Sequence, residues 1–341
     1  MKEILISFVM PTYNSSDYLT NTMESLINSI GEYKDIIEII CVDDGSKDNT
    51  LEILERFSRN YSSIRIFRNK HAGVSEARNT ALKNVRGKYV TFVDSDDEYE
   101  QNFLKNFLNL GQDFDILFTD VRGLLENKHY SNITKIEKLE VFKNTLRIGD
   151  YGIEPGVAGK FFRMQLLRDN QIFYNTELSV SEDVLLNFES LYYANNIILS
   201  PMKFYNVTGT HSLMYFNEKN LNGQVEFVNQ MLKLLSNYPE SDSREILEKK
   251  IIINAMTIFI DRYFGPLWKN GTYSLEESSR LLKSTIEENS FYRAFVSDEL
   301  DSSIGFRYVI FRRLLKHHLY KVCLIFNRLM DRVRGFERFR E

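Results

Sequence analysis

The stretch Tyr89-Val90-Thr91-Phe92-Val93-Asp94-Ser95-Asp96-Asp97 joins a short apolar run to a dense acidic cluster. Its first five residues are β-branched or aromatic, which favours a buried strand. The aspartates follow where that strand ends. Hard divalent cations prefer oxygen ligands and share their coordination shell with phosphate groups, so one or two carboxylates suffice to hold one. The stretch therefore predicts a strand end that binds a cation; an Asp-x-Asp alone is also typical of a solvated turn with helix-capping aspartates.

Upstream and downstream of this stretch, short apolar runs alternate with longer amphipathic segments through the first 120 residues. Such alternation predicts βαβ units, with a parallel sheet covered by helices on both faces. The predicted strands are Ile4–Met10, Ile36–Val42, Ile64–Phe67, Tyr89–Val93 and Ile116–Thr119, and the predicted helices are Ser16–Ile30, Asp48–Asn60, Val74–Val85 and Tyr99–Leu110.

Polar clusters follow three of these strands: Pro11-Thr12-Tyr13-Asn14, Asp43-Asp44-Gly45-Ser46 and Asp94-Ser95-Asp96-Asp97. Because ligands of parallel sheets bind at the carboxyl ends of the strands, we expect the three clusters to line one crevice. A carboxylate of the second cluster could accept the imide proton of uracil, which would select a uridine nucleotide. The alternative is that this cluster only forms a tight turn and a helix cap.

Together with Gly73-Val74-Ser75-Glu76-Ala77-Arg78-Asn79, these clusters resemble the ordered motifs of the family 2 glycosyltransferases. The resemblance is strong over residues 4–100 and weaker over 155–215. It implies an α/β GT-A fold, in which a Rossmann-like, mostly parallel sheet is flanked by helices. It also implies an inverting, metal-dependent enzyme that transfers one sugar from a nucleotide sugar, expected to be a UDP-sugar, to a hydroxyl of a glycan, glycoprotein or lipid-linked acceptor.

The same resemblance implies roles for individual residues at matching positions. Pro11 and Tyr13 are expected to lie against the nucleobase, and Asp44 to bind uracil. Arg78 is expected near the base or diphosphate, although pairing with Glu76 or solvent is an open alternative. Asp94 is expected at the ribose, Asp96 as a ligand of Mn²⁺ or Mg²⁺, and Lys160 at the donor or the acceptor. Ser75 and Ser95 are further expected donor-site residues. His211 is expected to bind the metal or the diphosphate, and the alternative is a surface histidine.

Ser181-Glu182-Asp183 resembles the Glu-Asp pair that precedes a helix in this family, and the resemblance implies that Asp183 is the general base. A carboxylate within hydrogen-bond reach takes the proton of a poorly nucleophilic acceptor hydroxyl as the new bond forms. The alternative is a carboxylate that only stabilises the helix N-terminus. One in-line displacement requires no second nucleophilic carboxylate, so inversion at the anomeric carbon is expected.

After residue 215 the sequence reads as helices, which predicts a catalytic domain at 1–215 and a helical C-terminal domain at 216–341. The predicted helices are Gln224–Leu235, Arg244–Tyr263, Leu275–Asn289 and Phe306–Val333. The last is amphipathic and basic, since residues 302–341 carry a net charge of +7 while the whole chain carries −4. Its apolar stripe can meet an anionic membrane, a partner protein or its own domain. That stripe comprises Phe311, Leu315, Leu319, Val322, Phe326, Leu329 and Val333.

Composition narrows the function classes further. A net charge of −4 argues against nucleic-acid binding. Cys41 and Cys323 have no metal-ligand spacing and are typical of a reducing compartment. No signal peptide and no uncharged apolar stretch of about 18 residues occurs. We therefore expect a cytoplasmic protein, with peripheral contact at the inner face of the plasma membrane as an open alternative.

Three rival interpretations of the sequence are less favoured. A sugar-1-phosphate nucleotidyltransferase usually carries a Gly-rich, basic N-terminal loop, and residues 6–14 contain neither Gly nor a basic residue. A catalytically silent nucleotide-sugar scaffold would not need Asp94, Asp96 and Asp183. A processive synthase would carry a Gln-x-x-Arg-Trp motif, which does not occur here. One sugar added per encounter is the favoured interpretation.

Overall fold

The computed structural model describes the chain except for residues 1–2, 112, 122, 124, 147, 149–151, 179, 209–217, 260–272, 297–305 and 338–341. The chain divides into two compact units, residues 1–211 and 212–341. His211, a predicted site residue, lies outside the described residues.

The first unit is built on an eight-stranded sheet with the order β3-β2-β1-β4-β8-β6-β9-β7. Strands β1 to β4 pair in parallel, and β8 runs antiparallel between β4 and β6. The mostly parallel sheet confirms the predicted fold class, whereas the antiparallel insertion was not predicted. Two further strands, β5 and β10, pair with each other in a separate two-stranded sheet. The strands are β1 Ile6–Thr12, β2 Ile37–Asp43, β3 Ile64–Arg68, β4 Tyr89–Phe92, β5 Glu98–Tyr99, β6 Ile116–Thr119, β7 Lys128–Ser131, β8 Lys160–Arg163, β9 Asn196–Ser200 and β10 Tyr205–Asn206.

The central strands are apolar because both faces of the sheet are covered. Every residue of β1 and β2 is buried, as near-continuous Ile and Val runs predict for parallel strands. Pro11 is tolerated inside β1 because the pairing with β4 stops at Val9, so no ladder hydrogen bond is lost on that side. The chain runs from β1 outward to β3 and returns to β4 on the other side of β1. This reversal opens a crevice at the carboxyl ends of β1 and β4.

Helices of the first unit cover the sheet where the sequence predicts them, with three starts displaced. The first helix begins at Leu19 instead of Ser16. The second helix begins at Thr50 instead of Asp48. The fourth begins at Phe103 instead of Tyr99, because Tyr99 belongs to β5 and pairs with Tyr205 of β10. The helices are α1 Leu19–Ile30, α2 Thr50–Asn60, α3 Val74–Leu82, α4 Phe103–Asn109, α5 Lys135–Thr145, α6 Met164–Asp169 and α7 Glu182–Tyr193.

Aromatic packing in the core fixes the acidic turn between β4 and β5. The Phe8 ring meets the rings of Tyr99 and Phe103 edge-on, with centroids 5.2 and 5.5 Å apart. Tyr99 also meets Tyr205 edge-on at 5.2 Å. Each such pair contributes about 0.5–1.5 kcal/mol beyond its buried area. The residues between the two strands are therefore anchored at both ends.

The second unit is helical among its described residues, and its C-terminal part differs from the predicted single helix. A break at His318, with φ of +58°, separates two helices. Phe311 and Leu315 are buried as predicted, but Leu329 is 54 % exposed. Beyond the break the helix buries a different face, formed by Tyr320, Cys323, Leu324 and Asn327. The helices are α8 Glu218–Leu235, α9 Asp242–Ile258, α10 Leu275–Glu288, α11 Ser290–Val296, α12 Phe306–Lys316 and α13 Tyr320–Glu337.

None of the helices in the described part of the chain is both long and apolar enough to cross a membrane.

Candidate functional site

The three polar clusters that follow β1, β2 and β4 contact one another, as the sequence predicts. Asn14 donates its backbone N–H to Ser46 Oγ at 3.0 Å, and its side-chain oxygen accepts the N–H of Lys47 at 2.9 Å. The hydroxyls of Ser15 and Ser95 lie 2.8 Å apart. One edge of the sheet thus carries all three clusters.

Asp44 organises the loop before α3. Its two carboxylate oxygens accept the backbone N–H groups of Ala72 and Gly73, each at 2.8 Å. The side chain is buried, and Gly73 has a φ of +96° that an L-residue rarely adopts. Each carboxylate oxygen keeps a further acceptor position for a ligand. The predicted contact between Asp44 and uracil therefore stays a prediction that this geometry permits.

An aromatic pair lies beside Asp44. The rings of Tyr13 and His71 are stacked with centroids 4.3 Å apart, and His71 Nδ1 is 3.6 Å from Asp44 Oδ2. Tyr13 is the exposed aromatic residue of the first cluster, whereas Pro11 is buried within β1. The sequence analysis did not select His71 as a site residue. The signal that could have indicated it is its position two residues before Gly73, where the third motif begins. The pair offers an apolar surface beside a carboxylate, which is what a nucleobase requires.

The acidic turn separates into residues with different surroundings. Asp97 is buried, and its oxygens accept hydrogen bonds from the Tyr205 hydroxyl at 2.7 Å and the Thr208 N–H at 2.8 Å. Asp94 is 44 % exposed, and the carboxylate of Asp96 accepts no hydrogen bond from any residue that the structure describes. Asp97 therefore holds the turn, whereas Asp94 and Asp96 are only partly buried and keep carboxylate oxygens that no described residue engages.

The described residues contain no cluster of three or more His, Cys, Asp or Glu side chains arranged to hold a metal ion. A divalent cation bound by Asp96 would thus depend on phosphate oxygens of a donor to complete its shell. This fits the chemistry of Mg²⁺ and Mn²⁺, which are commonly held by one or two carboxylates together with substrate phosphates.

Arg78 on α3 links the acidic turn to the N-terminus of α7. Its side chain is only 6 % exposed; Nη2 donates to Asp94 Oδ1 at 3.0 Å and Nη1 to Glu182 Oε1 at 3.1 Å. The guanidinium also lies over the Tyr174 ring, 5.1 Å from its centroid. The open alternative of pairing with Glu76 is not what the structure shows. Arg78 instead connects two carboxylates that are 88 positions apart in the sequence.

Asp183 lies in the first turn of α7, next to Glu182. Its Oδ1 accepts the N–H of Val184 at 2.7 Å, which satisfies one of the free donors at the helix N-terminus. Burial raises the pKa of Asp183 above its ordinary value, while Arg78, the Val184 N–H and Lys160 oppose that rise. Burial and the neighbouring Asp183 likewise raise the pKa of Glu182. A carboxylate with a raised pKa is a stronger base once ionised.

Two other predicted site residues are held by the protein itself. Ser75 is buried in the first turn of α3. Ser95 bonds through its hydroxyl to Ser15, and its carbonyl accepts the Thr22 hydroxyl at 2.8 Å. Both residues shape the crevice whether or not they also contact a donor.

Lys160 differs from the expectation that it contacts donor or acceptor. The residue is 1 % exposed, and Nζ donates to the backbone carbonyls of Glu154, at 2.6 Å, and Gly156. A buried ammonium needs such partners because its desolvation is costly. The side chain is thus engaged beneath the loop before β8.

Comparison with known proteins finds a family model that matches part of the chain, and solved structures with the same fold. The sequence model of "Glycosyl transferase family 2" matches residues 7–165. A poly(ribitol-phosphate) beta-glucosyltransferase of Bacillus spizizenii is 29 % identical over 268 residues, covering 76 % of this chain and 40 % of that protein. The poly(ribitol-phosphate) beta-N-acetylglucosaminyltransferase TarS of Staphylococcus aureus is 33 % identical over 207 residues, covering 59 % of this chain and 35 % of that protein. The chain spans less than half the length of these relatives.

Among solved structures, the crystal structure of S. aureus TarS 1-349 in complex with UDP matches with a TM-score of 0.65 and 22 % identity, covering 97 % of this chain and 92 % of that one. The complex with UDP-GlcNAc matches with a TM-score of 0.66, covering 96 % and 92 %. At this level of identity the likeness shows the fold.

Proposed function

We propose, from the match of residues 7–165 to the glycosyl transferase family 2 model, that this chain is an inverting glycosyltransferase that moves one sugar from a UDP-sugar to an acceptor hydroxyl. The observation that carries the proposal is the double ion pair of Arg78. One buried guanidinium lies between Asp94, on the expected donor side, and Glu182, the neighbour of the expected base. Arg78 thus connects the expected donor site to the expected catalytic base.

The donor nucleotide is assigned to the crevice at the ends of β1, β2 and β4. The Tyr13–His71 pair supplies an apolar surface for the base, and Asp44 supplies an acceptor beside it. A carboxylate acceptor pairs with the imide N–H of uracil, which supports a uridine nucleotide. The crystallisation of TarS with UDP and with UDP-GlcNAc is consistent with this choice.

Asp96 would hold Mn²⁺ or Mg²⁺, with the second oxygen of Asp94 nearby. When bound, such a cation neutralises the charge that develops on a departing diphosphate. His211 is kept as a further proposed ligand from the sequence. Asp94 has one oxygen engaged by Arg78, so its other oxygen is the one available to ribose or to the cation shell.

The chemical step is assigned to Asp183. Its Oδ2 accepts the proton of the acceptor hydroxyl while that oxygen forms a bond to the anomeric carbon. The bond between the anomeric carbon and the diphosphate oxygen breaks, and UDP leaves on the opposite side. Proton removal of this kind typically contributes about 10²–10⁴ in rate. A single displacement inverts the configuration at the anomeric carbon.

The acceptor is proposed to be a hydroxyl of a cell-surface polysaccharide. The names of the two relatives, both poly(ribitol-phosphate) glycosyltransferases, support a polyol-phosphate polymer as the first acceptor to test. Glycoprotein and lipid-linked acceptors are the other classes to test. We also propose, from the sequence, a cytoplasmic location with peripheral contact at the membrane.

The test is a donor and acceptor screen with the full chain. UDP-glucose, UDP-galactose and their N-acetyl forms are incubated with Mn²⁺, Mg²⁺ or EDTA, with and without poly(ribitol phosphate), and released UDP is measured. Asp183→Asn should bind UDP normally in calorimetry but lose transfer, whereas Asp169→Asn, an exposed aspartate of α6, should change neither. UDP binding without turnover of any donor would favour the silent scaffold. Formation of UTP and a sugar 1-phosphate when pyrophosphate is added to a UDP-sugar would favour the nucleotidyltransferase.

A further inference from the structure

We propose that residues 154–156 form the wall of the acceptor pocket against Asp183, and that Lys160 and Asn187 are positioning residues that hold this wall. The inference rests on the proposed function, since it takes Asp183 as the base. It gives a role to residues 154–156 and Asn187, and it replaces the expected direct contact of Lys160 with donor or acceptor by a positioning role.

Two side chains from different elements bind the carbonyls of this segment. Asn187 on α7 donates through Nδ2 to the carbonyls of Pro155 at 2.6 Å and Gly156 at 2.9 Å. Lys160 in β8 donates to the carbonyls of Glu154 and Gly156. Three consecutive carbonyls are thus fixed by side chains instead of by a strand or helix ladder. The segment is tied to the sheet and to the base-bearing helix together.

Asn187 also connects the wall to the base by helical geometry. It follows Asp183 by four residues on α7, so the two side chains project from the same face. Both Asn187 and Lys160 are fully buried. Their contacts therefore set a fixed distance between the loop and the carboxylate, which an exposed pair could not do.

Gly156 is where the wall comes closest to the base. A Cβ placed on Gly156 would lie 3.0 Å from Asp183 Oδ2, closer than ordinary van der Waals contact. Asp183 Oδ1 is occupied by the Val184 N–H, whereas Oδ2 accepts no hydrogen bond from the described residues. Oδ2 is therefore the oxygen that takes the acceptor proton, and the missing side chain of Gly156 leaves the space through which that hydroxyl approaches.

The wall also brings a positive charge to the base. Burial lowers the pKa of Lys160 to about 8, and the nearby Asp183 and Glu154 oppose that fall, so the ammonium stays protonated at neutral pH. The charge in turn favours the ionised form of Asp183. Among the described residues, the titratable groups that interact with Asp183 are Glu182 on its own helix, Arg78 on α3, Asp94 after β4, Lys160 in β8, and Tyr174 in the segment before α7.

The chain provides a matched control for Lys160. Lys138 on α5 is also buried, donates to a backbone carbonyl, that of Tyr192, at 2.6 Å, and has its pKa lowered by burial to about 8. Asp183 is absent from the groups that shift the pKa of Lys138. Replacing Lys138 therefore reproduces the loss of a buried lysine without changing the field at the base.

The experiment compares Gly156→Ala, Lys160→Met and Lys138→Met with the unaltered chain. Gly156→Ala should raise the acceptor KM about tenfold and leave the Kd of UDP within about twofold. Lys160→Met should move the acid limb of the kcat/KM profile up by about one pH unit, because the ionised base loses a neighbouring cation. Lys138→Met should leave the profile in place. Equal shifts for the two lysine variants, or a UDP Kd that rises as much as the acceptor KM, would overturn the inference.

A second readout does not depend on turnover. The titration of Asp183 is followed by carbon-13 NMR in protein labelled at the aspartate carboxyl, with Asp183→Asn to assign the signal. A higher midpoint in Lys160→Met than in Lys138→Met supports the wall even if no donor is turned over, in which case the proposed function fails alone. Identical midpoints in these two variants refute it even if transfer is normal. Should Lys160→Met not fold, Asn187→Leu is measured in its place, with a raised acceptor KM expected.

Discussion

Arg78→Met is the substitution that most directly tests the architecture of the site. Methionine keeps an unbranched chain of similar length and good helix propensity, so α3 should persist. What disappears is the charge that lies between Asp94 and Glu182, 3.0 and 3.1 Å from their oxygens. The substitution leaves two carboxylates facing an uncharged side chain.

The expected loss of stability follows from the exposure of each partner. The side chain of Glu182 is 12 % exposed, so breaking its ion pair leaves a buried charge without compensation, at a cost of about 3–5 kcal/mol. The side chain of Asp94 is 44 % exposed, so water screens its pair with Arg78, which contributes about 0–1 kcal/mol. Nearly all of the loss should therefore come from the Glu182 side.

The pH dependence of this loss has a definite sign. The pKa of Glu182 is already raised by burial and by Asp183, with Arg78 opposing, so removal of Arg78 raises it further. The folded variant then holds a proton that the unfolded chain releases. Its stability should consequently fall as pH rises through the ordinary pKa of Glu toward the raised value. Arg78→Met should thus be more destabilising at pH 8 than at pH 5.

Amide hydrogen exchange is the suitable assay because it reports local opening of α3 and α7 separately from the second unit. Peptides covering Val74–Leu82 and Glu182–Tyr193 should lose protection in Arg78→Met, and regain part of it in Arg78→Met/Glu182→Gln. Arg59→Met, an exposed arginine on α2, should change protection by less than about 0.5 kcal/mol. A loss below about 1 kcal/mol, or a double variant no better than the single one, would refute the reasoning.

Three further predictions rest on other features. Gly159→Ala should cost about 1–3 kcal/mol more in urea unfolding than Gly123→Ala, because both glycines have positive φ but a Cβ on Gly159 would lie 2.7 Å from Thr119 Oγ1; equal costs would contradict this. Burial raises the pKa of Glu189 to about 7, so stability should fall as pH rises from about 4.5 to 7. Glu189→Gln should remove that slope, worth about 1–2 kcal/mol after allowing for partial exposure, and an unchanged slope would argue against it. Asp96→Ala should abolish the increase in UDP affinity that Mn²⁺ produces in calorimetry, and a retained increase would move the cation elsewhere.

The strand ends show how far local sequence carries a prediction. Buried parallel strands need continuous apolar runs, and the residues after them must leave the sheet, so β1, β2 and β4 and their polar clusters are encoded locally. The meeting of those clusters at one edge also follows, because parallel strands end on the same side. The hydrogen bonds among Asn14, Ser46 and Lys47 agree with that expectation.

The different surroundings of identical residues within one motif could be assigned only from the tertiary structure. Asp96 and Asp97 are adjacent and chemically identical, yet Asp97 is held by Tyr205 and Thr208, more than 100 positions away. Lys160 was expected to contact donor or acceptor because it matches a lysine position common in the family that the sequence resembles. The structure buries its side chain against the carbonyls of Glu154 and Gly156. Lys160 lies in β8, an antiparallel insertion between β4 and β6 that no local period reveals.

The C-terminal helices also differ from the local prediction, because their buried face changes along the chain. Three- and four-residue spacing predicted one stripe from Phe311 onward, and the helical type was right. The left-handed backbone at His318 breaks the helix, so residues after it bury a face led by Tyr320 and Cys323. A periodicity fixes a face only as long as the helix is continuous.

By itself, the sequence determined the class of fold, the polar clusters that follow the parallel strands, and the sheet edge at which those clusters lie. These depend on backbone periodicity and on residues adjacent in the chain. The tertiary structure alone decided that Asp97 is the carboxylate held by Tyr205 and Thr208, that Arg78 joins Asp94 to Glu182, and that Lys160 and Asn187 bind the carbonyls of the loop at Gly156. Charge and burial act through space, so their effects emerge only when distant segments are brought within a few ångströms of one another.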